Sequence, residues 1–166
     1  MSDRFATSIE IGGKIPRSKL QKLIDIINSS DMSHDWGESP LRIKSENDLL
    51  REINPNRKTL ILVDLERAWG DTSNIEEQLQ KKLGSNITYR VLVEQKYEYD
   101  GELRFWSPET RLIELNCDAN GLPLATHNDL KEMLDLLTDS KYNINRVIKR
   151  LEKFTKGYKV PALEII

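Results

Sequence analysis

Lys58-Thr-Leu-Ile-Leu-Val-Asp-Leu-Glu-Arg-Ala-Trp-Gly-Asp71 contains the longest apolar run of the chain, and it stops at charged residues. Four consecutive aliphatic residues between polar ones are typical of a buried strand. We therefore predict a central strand over residues 58–65. The polar segment from Asp64 to Asp71, where this strand ends, is a candidate functional edge.

The segments before this strand predict one further strand and two helices. Residues 5–11 alternate apolar and polar side chains, which is the pattern of a half-buried strand. After Pro16, apolar residues at spacings of three and four predict a helix over residues 16–28. Residues 29–40 are polar and predict a surface loop, and Ser45 is placed to cap a short second helix.

The segment after the central strand predicts a helix and then an antiparallel meander. Ser73 and Glu76 have the spacing of a capping box, and the helix that they begin ends at Gly84. Asp100 and Gly101 are typical of a hairpin turn. The predicted strands of the meander are residues 87–95, 102–106 and 112–115.

Two helices end the chain. Thr126 caps the first, and the second carries an apolar stripe from Ile144 to Leu151. The complete order of elements favours an α/β (α+β) sandwich: one mixed sheet of about five strands, helices mainly on one face and a C-terminal helical pair. We assign residues 1–125 to the sheet domain and residues 126–166 to the helical pair, packed together as one structural domain.

Composition excludes several classes of protein. Cys117 is the single cysteine, so no internal disulfide forms, and with His34 and His127 it does not make a zinc cluster. We expect neither a cofactor nor a metal. Asp118 beside Cys117 is expected to raise the thiol pKa, which disfavours a cysteine nucleophile. The charged N-terminus and the lack of a long apolar run predict a cytoplasmic protein without a membrane span.

Charge is distributed unevenly along the chain. Residues 1–140 hold 18 basic and 25 acidic residues, a balance of −7, whereas residues 141–166 hold 7 basic and 2 acidic residues, a balance of +5. The two balances sum to the net charge of −2. An acidic body and a basic tail therefore suggest different kinds of contact for the two parts.

Acidic residues at the strand ends suggest a catalytic site as one hypothesis. Asp64, Glu66 and Asp71 follow the central strand, and Glu94 and Lys96 share a face at the end of the next one. An Asp on one strand with Glu-x-Lys on another outlines a metal-dependent nuclease or phosphodiesterase, in which carboxylates hold a divalent cation.

The alternative interpretation is that these charges mark the places where strands emerge into solvent, and we favour it. Glu-x-Lys is common in a chain with 31% charged residues. In addition, the helix between Asp64 and Glu94 implies a parallel crossover, whereas the nuclease arrangement usually has the two strands as antiparallel neighbours.

Aromatic and acidic side chains around one hairpin suggest a surface that binds a protein. Exposed aromatic rings beside carboxylates recognise cations and anchor interfaces. The alternative is that the aromatic pairs only stabilise the hairpin or close the rim of the core. The candidates for contact with a partner are Tyr97, Glu98, Tyr99 and Asp100 of this hairpin, together with Trp36 and Trp69, two tryptophans that each precede a glycine after a charged stretch.

Basic residues recur along one face of the last helix, opposite its apolar stripe. Such a face can contact nucleic-acid phosphates, although it is more often simply solvated. The candidate residues are Arg146, Lys149, Arg150, Lys153 and Lys156.

These patterns together favour a small cytoplasmic binding or regulatory protein that is not an enzyme and acts through a protein partner as an inhibitor, adaptor or regulator. The first alternative is a metal-dependent nuclease or phosphodiesterase that uses the acidic cluster. The second is a nucleic-acid-binding protein that uses the basic C-terminal helix.

Overall fold

The computed structural model describes residues 3–36, 38–96, 98–139 and 144–166, which form a six-stranded sheet and five α-helices. The prediction of an α+β fold is confirmed. The strands are β1 (Arg4–Ile15), β2 (Leu60–Ala68), β3 (Ile87–Val93), β4 (Gly101–Ser107), β5 (Arg111–Cys117) and β6 (Leu163–Ile165). The helices are α1 (Leu20–Ser29), α2 (Glu46–Glu52), α3 (Ser73–Leu83), α4 (His127–Asp139) and α5 (Ile144–Thr155), and a 3-10 turn at Arg17–Lys19 precedes α1.

The strand β1 lies inside the sheet, next to the edge strand β2, and it pairs with three other strands. The strand order is β2-β1-β3-β4-β5, and β1 pairs antiparallel with β2 on one side and with β3 on the other. The prediction of a central strand over residues 58–65 is therefore wrong in its position, because β2 lies at the edge of the path. Leu60 and Leu62 are nevertheless buried on one face and Val63 on the other, and a backbone bridge between Val63 and Ser33 covers part of the open edge. Burial of both faces makes an edge strand indistinguishable from a central one in the sequence.

The meander β3-β4-β5 is confirmed, since these strands are antiparallel neighbours in chain order. The parallel crossover is also confirmed: β2 and β3 both run antiparallel to β1, so they are parallel to each other with β1 between them. The sheet is mixed because β6 pairs parallel with residues 13–15 of β1.

Helices contribute to both faces of the sheet. Residues of α1, α2 and α3 pack with alternate residues of β1, β2 and β3 in the main core. On the opposite face of β4 and β5, Leu103, Phe105 and Leu115 form a smaller core with Tyr158, against which Phe154 of α5 packs. Three helices therefore pack on one face of the sheet, and α5 packs on the other.

The capping residues position the helices. The Ser45 hydroxyl accepts from the Asp48 N–H of α2 at 3.2 Å, as predicted. At α4 the Asp129 N–H donates to the Thr126 hydroxyl oxygen at 3.1 Å, which also agrees with the predicted cap. The prediction for α3 is wrong by one residue: its N-cap is Thr72, whose hydroxyl donates to Glu76 at 2.7 Å.

The C-terminal segment returns to the sheet as β6, an element that the sequence analysis missed. A buried polar cluster holds the segment that leads to it. Arg90 donates to the Glu10 carboxylate at 2.8 Å and to the Tyr158 carbonyl at 3.3 Å. Three residues are too few to show the alternating pattern of a strand, so β6 forms only through its pairing with β1.

Among the described helices, none combines the length and the apolar character that a membrane span requires.

Candidate functional site

The acidic end of β2 is organised around Arg67. Its guanidinium Nη1 lies 2.6 Å from a carboxylate oxygen of Asp31 and 3.3 Å from one of Asp64. The hydrogen bond from Arg67 lowers the pKa of Asp31, although partial burial acts in the opposite direction. Asp64 also accepts the backbone N–H of Glu66 at 3.0 Å. The Arg67 guanidinium therefore balances much of the negative charge that the metal hypothesis assigned to this end of the strand.

Asp71 has a structural partner of its own. Its carboxylate accepts the backbone N–H of Ser73 at 2.9 Å, at the first residue of α3. Hydrogen bonds from Ser73 lower the pKa of Asp71, so the carboxyl group stays ionised beside the positive end of the helix dipole.

Glu94 and Lys96 both bind the backbone of β1. The Glu94 carboxylate accepts the Ala6 N–H at 2.7 Å, and the Lys96 ammonium donates to the Arg4 carbonyl at 2.5 Å. Since β1 lies between β2 and β3, it separates Asp64 from Glu94 in the sheet.

The structure nevertheless brings some of the catalytic candidates together. Asp64, Glu66 and Lys96 line one shallow cavity of about 440 Å³. Within the ranges that the structure describes, no three His, Cys, Asp or Glu side chains are grouped so that they could hold a metal ion.

Phe5 is the centre of the aromatic cluster at the start of β1. Its ring lies 6.4 Å from that of Trp69 and 6.0 Å from that of Tyr99, which it meets edge to face. The Lys96 ammonium lies 5.8 Å from the same ring. Phe5 is buried, whereas Trp69 and Tyr99 are exposed. The sequence analysis did not include Phe5 in the site, although its place at the start of an alternating strand was visible.

The other candidates for contact with a partner lie apart or outside the described residues. Trp36 lines a cavity on the face of the sheet that carries Ser8 and Leu92, opposite the face of α3. Glu98 and Asp100 are exposed beside Tyr99, and Tyr97 lies outside the described residues. Trp36 and Trp69 therefore do not share one concavity.

Trp69 borders a groove between α3 and the β4-β5 hairpin, which we call the acidic groove. Its volume is about 460 Å³. Five carboxylates line it against one guanidinium, that of Arg104, which binds Glu76 at 3.1 Å and Glu102 at 2.5 Å. The lining residues are Trp69, Asp71, Ser73, Glu76, Glu77, Gln80, Glu102, Arg104, Leu112 and Glu114.

The backbone at Trp69 has a left-handed conformation. Its φ is 53°, and Gly70 follows with a φ of 62°. For a residue with a Cβ this conformation costs about 1–2 kcal/mol. A Cβ at Gly70 would lie 2.6 Å from a methyl group of Val93, so glycine is required there.

Hydrogen bonds from several elements hold this turn. The backbone N–H of Trp69 donates to the Asp3 carbonyl at 2.8 Å, and the Arg104 guanidinium donates to the Gly70 carbonyl at 3.1 Å. Arg67 donates to the Asp71 carbonyl. The tertiary structure therefore maintains a strained turn that leaves Trp69 57% exposed.

The basic candidates are all exposed, and all except the last lie in α5, which ends one residue before it: Arg146, Lys149, Arg150, Lys153 and Lys156. Two of them also have partners within the chain. Arg150 forms an ion pair with Glu132 of α4, and the Lys153 ammonium lies 5.5 Å from the ring of Phe154.

Comparison of the chain with protein-family models, with curated proteins and with solved structures found no match. The choice between the candidate surfaces therefore depends on their geometry and chemistry.

The Cys117 thiol is expected to be unreactive in the folded protein. Burial, followed by the charges of Asp118, Glu102 and Asp100, raises its pKa from 9.0 to about 11. The folded state therefore favours the neutral thiol. Below pH 9 the thiol is neutral in both states and folding carries no penalty, whereas the free energy of unfolding decreases as the pH rises from 9 toward 11, because only the unfolded chain can then release the proton easily. Below pH 9 the folded protein should hold roughly 100-fold less thiolate than the unfolded chain.

Titration of the thiol with a chromogenic disulfide measures this difference. We expect the native protein to react at least 100-fold more slowly than the protein in guanidinium chloride at the same pH. Equal rates in the two states would contradict both the burial and the raised pKa.

Proposed function

We propose that this chain is a small, non-catalytic binding protein with a regulatory role, which docks a basic segment of a protein partner in the acidic groove. Trp69 is the anchor of this contact. The partner segment carries lysine or arginine side chains, which the carboxylates of the groove attract. The observation that carries the proposal is the exposed indole of Trp69 on a strained turn beside an acidic groove.

The placement of Trp69 supports an anchoring role. Tryptophan is enriched among the residues that contribute most to protein interfaces, and its ring is the best aromatic partner for a cation. Its contact with the Phe5 ring and the hydrogen bonds of the turn restrict the motion of Trp69 before any partner binds. A rigid anchor loses less conformational entropy on binding than a flexible one.

The charges of the groove support a basic ligand. Arg104 lies between Glu76 and Glu102, but Glu77 and Glu114 extend the negative lining and are exposed to solvent. Leu112 is also exposed there and adds an apolar contact for the aliphatic part of a lysine or arginine side chain.

The bonding of the acidic strand ends is the reason to prefer the groove to a catalytic site. Asp64 and Glu94 each accept hydrogen bonds from the chain itself. Their carboxylates therefore have structural roles in the folded protein, whereas the Trp69 indole extends into solvent.

A fluorescein-labelled octa-arginine peptide provides a direct test. We expect it to bind the wild-type protein at low salt, with a change in anisotropy that decreases as salt is added. Trp69→Ala should weaken binding about 30-fold, the effect of removing an interface residue worth about 2 kcal/mol. The double variant Glu77→Lys/Glu114→Lys should weaken it further, because the groove then repels the peptide.

Trp36→Ala is the matched control, since it removes an exposed tryptophan from the opposite face of the sheet. Its affinity should equal that of the wild type. Circular dichroism of each variant verifies that the fold is retained. The proposal is wrong if the wild type does not bind, or if the Trp69 and Trp36 variants bind equally well.

A further inference from the structure

A cavity of about 620 Å³, which we call the C-terminal cavity, lies on the face of the sheet opposite α3. Its floor consists of Thr88 of β3 and of Phe105 and Ser107 of β4, which are all buried. The segment 156–162 forms one wall, and the loop 108–110 forms another. The volume falls within the roughly 300–1,000 Å³ of small-molecule sites.

The hydroxyl group of Thr88 has no partner at this floor. Thr88 is 8% exposed, and within the described residues no atom forms a hydrogen bond with its hydroxyl. The hydroxyl of Ser107, which is also buried, pairs instead with that of Thr110 at 2.9 Å. Buried polar groups are normally bonded, because removal from water without a hydrogen bond is unfavourable. Thr88 therefore offers a donor to a molecule in the cavity.

Asn86 provides a second donor at the same end of β3. Its carboxamide oxygen accepts the Lys19 ammonium at 2.7 Å and the Ser85 hydroxyl at 3.1 Å. Among the described residues, none accepts from its NH₂ group. Since the oxygen is occupied, the NH₂ group is the part of this side chain that remains for a ligand.

The charged side chains of the lining carry a positive balance. Lys14, Lys156 and Lys159 line the cavity, and in the described part of the chain none of the three forms an ion pair. Glu109 and Glu164 line it too, and Glu164 is the register partner of Lys14 in the pairing of β6 with β1. Three cations against two carboxylates leave a surplus of one positive charge.

The buried cluster beside the floor adds to this positive charge. Glu10 accepts from Arg90 at 2.8 Å and from Arg57 at 3.2 Å, so one carboxylate serves two guanidinium groups. Arg90 lies on the same face of β3 as Thr88 and is the register partner of Phe105. Within the described residues its buried Nε has no hydrogen-bond partner. The electrostatic potential at the floor therefore favours an anion.

The cavity also has an apolar part. Phe105, Pro108 and Pro161 line it, and the lysine stems add aliphatic surface. A free inorganic anion would leave this surface uncovered. A phosphate group attached to a ring can use both parts, because its oxygens accept several charge-assisted hydrogen bonds while the ring covers the apolar lining.

We propose that the C-terminal cavity binds a small organic phosphate that carries a ring. The phosphate accepts from the Thr88 hydroxyl and from the ammonium groups of Lys156 and Lys159, and the ring lies against Phe105. The acidic groove is on the opposite face of the sheet, so the two proposals are independent.

Titration of the ¹⁵N-labelled full chain with phenyl phosphate, followed by NMR, tests the site. Phenyl phosphate contains only the two features that the cavity is inferred to recognise. We expect the amide signals of Thr88 and Gly157 to shift along a saturable curve, with a dissociation constant of about 1 mM or less. Phenol and inorganic phosphate, which each lack one feature, should bind at least roughly tenfold more weakly.

A pair of matched double variants tests the role of the ammonium groups. Lys156→Gln/Lys159→Gln should raise the dissociation constant of phenyl phosphate at least roughly tenfold, because two charge-assisted hydrogen bonds are lost. The control Lys22→Gln/Lys81→Gln removes two exposed lysines of α1 and α3, which pack on the other face of the sheet. Its dissociation constant should equal that of the wild type.

Thr88→Val separates ligand binding from a structural role. It should raise the dissociation constant about fivefold, because a donor to the phosphate is lost. The urea midpoint of the ligand-free protein should stay the same or rise, since the hydroxyl has no partner in the described chain. A hydroxyl with a structural role would instead lower this midpoint when it is removed.

Four results would overturn the proposal. They are the absence of shifts at Thr88 and Gly157, equal affinity for phenyl phosphate and phenol, equal affinity of the two lysine double variants, and a Thr88→Val variant that is less stable but binds as well as the wild type. Inorganic phosphate bound as tightly as phenyl phosphate would also contradict it, because the cavity would then recognise any small anion.

Discussion

Arg104→Met is expected to lower the free energy of unfolding by about 3–5 kcal/mol, because it leaves the Glu76 carboxylate buried without its cation. The side chains of Arg104 and Glu76 are 14% and 8% exposed, so water replaces little of the lost interaction. Arg104 also donates to the Gly70 carbonyl at 3.1 Å and to the Thr72 hydroxyl at 2.9 Å. The substitution therefore removes the donor that joins β4, the Trp69 turn and the start of α3.

Urea unfolding of matched variants separates this effect from a general loss of charge. Arg51→Met is the control, since Arg51 is exposed and lies 3.9 Å from Asp48 in a surface ion pair. We expect it to cost about 0.5 kcal/mol or less. Arg104→Met/Glu76→Leu should recover part of the loss, because it no longer buries an unpaired carboxylate. A cost for Arg104→Met close to that of the control would refute the structural role of this pair.

Gly12→Ala is expected to lower the free energy of unfolding by about 3 kcal/mol, at the upper end of the usual cost of inserting atoms into a packed site. A Cβ at Gly12 would lie 1.9 Å from the backbone carbonyl oxygen of Pro161 and 2.8 Å from a methyl group of Val160. Since a backbone atom cannot move aside by rotation of a side chain, the segment before β6 must move away from β1.

Hydrogen exchange locates this movement. The Ile166 N–H donates to the Ile15 carbonyl at 3.0 Å, and its protection should decrease in the variant more than that of β4. Gly157→Ala is the control, because the nearest heavy atom to its Cβ would be 3.9 Å away. Equal stability of the two variants, with Ile166 still protected, would show that the segment does not lie against Gly12.

Local patterns were sufficient to predict most helices and strands. Apolar residues at helical spacing gave the position of α1, and alternation gave that of β1. The caps at Ser45 and Thr126 were recognised because a cap depends on a hydrogen bond between residues three positions apart. Such interactions are contained within a short segment, so the segment is enough to predict them.

The candidate site was predicted only in part. Trp69 was named from its position before a glycine at the end of a strand, and its exposure agrees with that choice. Arg104 and Glu76 were missed, although their ion pair is central to the acidic groove. They are 28 residues apart, and a sequence of many charged residues does not indicate which of them face each other.

Pairing between distant segments accounts for the remaining differences. An apolar run such as Leu60-Ile-Leu-Val63 indicates burial, but its place at the edge of the sheet depends on β1 lying between β2 and β3. The same insertion of β1 separates Asp64 from Glu94, and the opposite faces of the sheet separate Trp36 from Trp69. The chain itself specifies which residues are buried and in which local conformation, because those preferences act over a few residues. Which strands become neighbours, and hence which side chains form a surface, depends on contacts formed only when the whole sheet assembles.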